Sequence, residues 1–168
     1  PQLEEAIEGL ARAALLDQDL SAAVAVYDRG LKADEGHVPF LTGRGDVRMH
    51  EGMLAARRGE DPGPLNAAAL ADYDAALALD DERPRAWLAR GVTRGNAADW
   101  DEGHGKDAEA LYRAAVADLE KAVALDPAGG QAWLALAVVR SGWGNGTVAR
   151  GADAQALYEA AAADFGRA

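Results

Sequence analysis

Apolar and polar residues in this chain follow a helical rhythm. In residues 108–125, Leu111, Ala115, Val116, Leu119, Ala122 and Val123 fall at i, i+4, i+5, i+8, i+11 and i+12, which is one stripe of an amphipathic helix. Glu109, Arg113, Asp118, Glu120 and Lys121 supply its polar face. The stripe stops at Asp126-Pro127, because proline disfavours the helical conformation of the residue before it and cannot donate within a helix. Beyond Ala128-Gly129-Gly130 the segment AWLALAVVR resumes the apolar pattern as a second helix. Nothing in this unit reads as a strand.

The same pattern recurs. Tyr27, Tyr73, Leu119 and Phe165 stand 46 residues apart, and residues 70–115 set on 116–161 give 20 identities in 46 positions, against roughly five expected by chance in so alanine-rich a chain. Such a unit cannot bury its apolar face alone, so stacked units share a core and present an extended surface. Asp61, Asp107 and Asp153 each follow a glycine by two positions (Gly59, Gly105, Gly151). At the start of a helix a carboxylate accepts from free amides, and Pro62 suits the first helical position. The unit is therefore a helix pair with a turn at each end. We expect one domain, 1–168, with units of approximately 1–35, 36–81, 82–127 and 128–168.

With the helix pairs placed, the residues resemble the tetratricopeptide repeats. That family's first helix carries a bulky residue and a small one four positions later, as in Trp87…Gly91 and Trp133…Ala137. Its second helix carries small, bulky and small residues and then proline, as in Ala115, Leu119, Ala122 and Pro127. Residues 1–35 fit the ordinary form with Ile7, Leu10, Ala11 and Ala14, then Ala23, Tyr27, Gly30 and Leu31. The resemblance implies an all-α, right-handed superhelical solenoid of antiparallel helix pairs, about 3.5 repeats. It departs from the ordinary 34-residue repeat by twelve extra residues per unit, as in long-hairpin bacterial repeats, some of them attached to serine/threonine kinase domains. Six residues added to each arm lengthen both by roughly 9 Å and keep the packing register. We therefore expect long first helices near 38–57 and 84–99, helix over 53–58 and 65–69, and hairpin tips at the three glycines. Gly142, Gly144 and Gly146 each cost about 1 kcal/mol inside a helix, so the last tip should fray.

Composition narrows the function. The chain is 49% hydrophobic but only 6% aromatic, so Ala, Leu and Val must fill the core. Its formal charge of −11 opposes binding to nucleic acid and to anionic membranes. It has no cysteine, hence no disulfide frame or thiolate metal site. No segment reads as a membrane span or as a signal peptide, which favours a cytoplasmic location. His37, His50 and His104 are scattered, with no metal spacing and no nucleophile beside a base, so we expect no catalytic residue, no metal and no cofactor. Asn145-Gly146-Thr147 has the form of a glycosylation sequon.

Arg48, Arg94 and Arg140 recur at the repeat interval, and Asp72, Asp118 and Asp164 recur 24 residues after them. Matched columns of bases and acids point to an ion pair within each helix pair. Arg44 and Arg90 show no such partner in sequence and so stand as candidates for an anionic ligand. The resemblance places a ligand groove at Thr42, Asp46, Leu88, Val92, Leu134 and Val138, with His50 and Asn96 further along. The Lys, Asn and Arg of carboxylate-clamping relatives are missing there. Trp87 and Trp133 are expected in the core, whereas Trp100 and Trp143 fall outside the period and are candidate tip contacts. The resulting expectation is a non-catalytic scaffold for a protein or peptide partner. Its alternatives are an array that stacks end to end on copies of itself and, after that, an enzyme or a regulatory region attached to a kinase.

Overall fold

The computed structural model describes residues 2–16 and 18–168. The described residues form α-helices and turns, without a strand: α1 Gln2–Leu16, α2 Leu20–Ala33, α3 Val38–Arg57, α4 Gly63–Leu79, α5 Pro84–Gly103, α6 Glu109–Leu125, α7 Gly130–Ala149 and α8 Gln155–Phe165. The starts of α3, α5 and α7 are 46 residues apart, as are those of α4, α6 and α8. Contacts divide the chain into two compact units, Pro1–Asp81 and Glu82–Ala168.

In the first unit α1 packs on α2, α2 on α3 and α3 on α4. Ile7, Ala11, Val26, Leu31, Phe40, Leu41 and Ala76 form its core, with Tyr27 and Val38 against them. In the second unit α5 packs on α6, α6 on α7 and α7 on α8, and α5 also touches α7. Its core holds Tyr112, Leu119, Val123, Leu136 and Val139 among five alanines. Trp87 and Trp133 are partly buried against that cluster. Alanines make up half of the second core, and in both units large side chains seat against glycine. A Cβ on Gly45 would stand 2.7 Å from the Tyr73 ring, and one on Gly91 2.7 Å from Leu119 Cγ.

Hairpin tips close by a shared device. Gly59, Gly105 and Gly151 have φ of +76°, +73° and +77°, the left-handed conformation that ends helices. Around Gly59, the Glu60 amide donates to Ala55 O and the Gly59 amide to Ala56 O, the paired bonds of a Schellman turn. The next carboxylate then accepts the first amide of the second helix: Asp61 from Gly63 at 2.9 Å, Asp107 from Glu109 at 3.0 Å and Asp153 from Gln155 at 2.9 Å. Pro62 sits just before α4, which begins at Gly63.

Two expectations need correction. α5 continues to Gly103 rather than stopping near residue 99, because the chain keeps helical geometry until the left-handed Gly105. α7 does not fray: it is helical through all three of its late glycines to Ala149. Those glycines are close-approach sites. A Cβ would come within 2.8 Å of Asp99 Oδ1 at Gly142, 2.8 Å of the Tyr158 ring at Gly144 and 2.7 Å of Glu102 Cδ at Gly146. Packing against neighbouring helices offsets the poor helix propensity.

These contacts predict unequal costs for adding one methyl group. Gly91→Ala meets Leu119 and the Ala115 carbonyl and should lower stability by about 1–3 kcal/mol in urea denaturation. Gly146→Ala meets only the end of the Glu102 side chain, which can swing away, and should cost less because alanine regains about 1 kcal/mol of helix propensity.

Candidate functional site: an internal arginine ladder and an apolar row

The columns of charge lie between the helices of each pair. In the first unit Asp72 is buried and receives two arginines of α3. Arg44 donates to it through Nε at 3.1 Å and Nη2 at 2.6 Å, and Arg48 through Nη1 at 2.7 Å. Arg44 Nη1 also donates to Asp28 of α2 at 2.6 Å. The second unit repeats the arrangement: Arg90 holds buried Asp118 through Nε at 2.9 Å and Nη2 at 2.7 Å, and Arg94 Nη1 adds a bond at 2.6 Å. In the last pair Arg140 donates to Asp164 and to Glu120 of α6, while Leu136 fills the position of Arg44 and Arg90.

Arg44 and Arg90 are therefore not free for an anionic ligand, and that expectation is withdrawn. The planar guanidinium fork of each grips its buried aspartate at two points, the geometry in which arginine is strongest. Burial alone would lower the Arg44 pKa, and the hydrogen bonds to Asp72 and Asp28 outweigh it, leaving the group above its ordinary value. One signal in sequence could have found these pairs. Arg44 and Arg90 recur at the repeat interval, each one helical turn before the arginine already matched to an aspartate, so both project toward the same carboxylate.

A second polar contact ties the arms of the α3–α4, α5–α6 and α7–α8 hairpins. Tyr73 OH donates to Asp46 at 2.9 Å, Tyr112 OH to Asp99 at 2.7 Å and Tyr158 OH to Asn145 at 2.9 Å. Burial first, and then the bond to Asp99, push the Tyr112 phenol well up from its ordinary value.

The residues placed in the groove have different surroundings. Thr42 is half-buried and its hydroxyl donates to Val38 O at 2.5 Å, while half-buried Asp46 takes the Tyr73 hydroxyl. Leu88 and Val92 are partly buried against the core of the second unit. Leu134 and Val138 lie one turn apart on α7 and are 48% and 51% exposed. Asn96, the next turn after Val92, has a buried Nδ2 without a hydrogen-bond partner, and His50 is exposed. A hollow of about 300 Å³ opens beside Leu88, between Arg85, Ala122, Asp126 and Ala132. Trp143 packs against the core with its ring parallel to Tyr112 at 6.5 Å. Trp100 is half-buried and stacks on His104 at 4.0 Å near the tip. Asn145 is exposed on α7. Among the described residues no three His, Asp or Glu side chains are grouped to hold a metal ion, and no helix is long and apolar enough to cross a membrane.

Among solved structures, the Arabidopsis OM64 TPR domain superposes with a TM-score of 0.64 over 83% of this chain and 96% of its own, at 19% identity. The chain has a tetratricopeptide-type fold. MamA superposes with a TM-score of 0.59 over 94% of this chain and 91% of its own, at 18% identity. No family model matches the sequence, and no curated protein matches it either. The fold is thus shared at low sequence identity.

The ladder predicts a non-additive response. Arg94→Ala leaves Arg90 gripping Asp118 and should cost about 1 kcal/mol. The pair Arg90→Ala with Arg94→Ala strands a buried carboxylate and should cost about 3–5 kcal/mol, more than the two single losses together in a denaturation double-mutant cycle.

The tyrosine contact predicts a pH dependence. A phenol whose pKa is raised by folding contributes stability that is complete below about pH 10 and lost as pH climbs above it. Tyr112→Phe should therefore show a shallower loss of stability than the parent chain in denaturation between neutral and strongly alkaline pH.

Proposed function

We propose that the chain is a non-catalytic interaction scaffold whose second unit holds an apolar segment of a protein or peptide partner. The reading rests on Leu134 and Val138, two large apolar side chains half-exposed one turn apart on α7. Their counterparts in the repeat, Leu88 and Val92, are partly buried in the same unit. Apolar pairs at this spacing suit an amphipathic helix or a short apolar segment laid along the row. Beside the row, Arg85 and Asp126 at the rim of the hollow can orient a partner, and the net negative charge favours partners with basic flanks. Thr42 and Asp46 already have partners inside the first unit, so they carry less of the proposal than the α7 pair. Trp100 near the tip is a further candidate contact, whereas Trp143 serves the core.

The test is selection from a displayed peptide library, followed by titration of enriched peptides. Enrichment should favour apolar residues three or four apart with basic neighbours. The double variant Leu134→Asp with Val138→Asp should weaken binding at least about tenfold, near 1.4 kcal/mol, with unchanged helix content by circular dichroism. Peptides that bind the variant as well as the parent chain would sink this placement.

A further inference from the structure

The apolar row of the second unit has two different ends. Leu88, Val92 and Asp99 share one face of α5, since they stand four and then seven positions apart, and Asp99 lies two turns beyond Val92 toward the hairpin tip. Leu134, Val138 and Asn145 repeat that face on α7. At the opposite end Arg85 and Asp126 stand together at the rim of the hollow beside Leu88, so charges of both signs offset one another there.

Asp99 is unlike the acids that follow it on α5. Asp101 is held by Lys106 at 2.8 Å, and Glu102 takes both of its bonds from Arg150 Nη1, at 2.8 and 2.6 Å. Asp99 is exposed, and among the described residues no cation pairs with it. Its Oδ1 accepts the Tyr112 hydroxyl at 2.7 Å, which leaves Oδ2 uncommitted. The carboxylate leans on α7 at Gly142, where a Cβ would come within 2.8 Å of Oδ1. It therefore sits at the seam of the two helices that carry the apolar row.

The contact with tyrosine does not require the charge. In the next hairpin Asn145 occupies the corresponding place and accepts the Tyr158 hydroxyl at 2.9 Å, so a neutral carboxamide makes the same tie. The negative charge at position 99 is an addition to it.

We infer that Asp99 sets the direction of the bound partner, whose apolar side chains lie against Leu134 and Val138 while a lysine or arginine at the tip end meets Asp99 Oδ2. This rests on the peptide-binding reading and adds to it a polarity and the residue that imposes it. Seven positions separate Val92 from Asp99, about 10 Å of helix, so the basic group lies about that far past the apolar contact and on one side of it only. Reversed, the same segment would bring its cation to Arg85 and leave Asp99 unpaired. Such complementarity fixes register and orientation more than bulk affinity.

Selection of a displayed library of random peptides against the parent chain, Asp99→Asn and Asp126→Asn tests it. Peptides enriched on the parent should carry Lys or Arg on one side of their apolar pair, a bias that vanishes on Asp99→Asn and survives on Asp126→Asn. In titrations of the leading peptide, Asp99→Asn should bind about threefold to fivefold more weakly than the parent. Replacing the peptide's basic residue by Gln should give the same loss on the parent and none further on Asp99→Asn. Circular dichroism checks that the variants are folded. A second measurement needs no variant: moving the basic residue to the other side of the peptide's apolar pair should cost the same factor on the parent chain. Peptides that require Leu134 and Val138 but bind Asp99→Asn as tightly as the parent, or tolerate the moved basic residue, overturn this inference and leave the apolar row standing. A library that yields no binder overturns both.

Discussion

The distance between the two helices of a pair governs everything else in this protein, and that distance is set by a glycine facing a large side chain. Gly45 lies under the Tyr73 ring and Gly91 under Leu119, each with no space for a Cβ. At this separation arginines of the first helix reach the buried aspartate of the second by direct bonds of 2.6–3.1 Å. A wider spacing would admit water and reduce the ladder to surface ion pairs, which contribute little. The tyrosine bonds to Asp46 and Asp99 depend on the same closeness. With so few large side chains, the core cannot compensate elsewhere for a lost seat.

The buried aspartates also explain how an acidic chain packs charged columns inside. Each carboxylate is met by the donors of one or two arginines, so the cost of removing it from water is offset by charge-assisted hydrogen bonds. This arrangement is directional as well as strong. A one-residue slip of α5 against α6 would rotate Arg90 and Arg94 away from Asp118, so the ladder specifies the register that the alanine-rich interface leaves weakly defined.

Much of this was legible in the order of residues. The period, the helix pairs and the positions of the hairpin tips follow from Trp87, Trp133, the tip glycines and the aspartates after them, because turns and apolar stripes are local signals. Two features were not local. The late glycines of α7 read as helix breakers until Asp99, Tyr158 and Glu102 are seen pressing on them. Arg44 and Arg90 read as free because their aspartate had already been matched to the arginine one turn away, and a carboxylate has room for both. Of the candidate site, the apolar row could be located by repeat position, but its unequal exposure depends on which helices lie alongside, and spacing alone does not carry that.

Because each aspartate is clamped by arginines of its own helix pair, a pair carries its fastening with it. Copying a 46-residue stretch such as 84–129 in the gene would duplicate glycine seat, clamp, tip and turn together. The new module would then need to satisfy only the junction, where a buried apolar cluster and one ion pair decide the fit. Chains built this way lengthen by recombination without redesign of their interior, and their evolutionary freedom is concentrated at the seams.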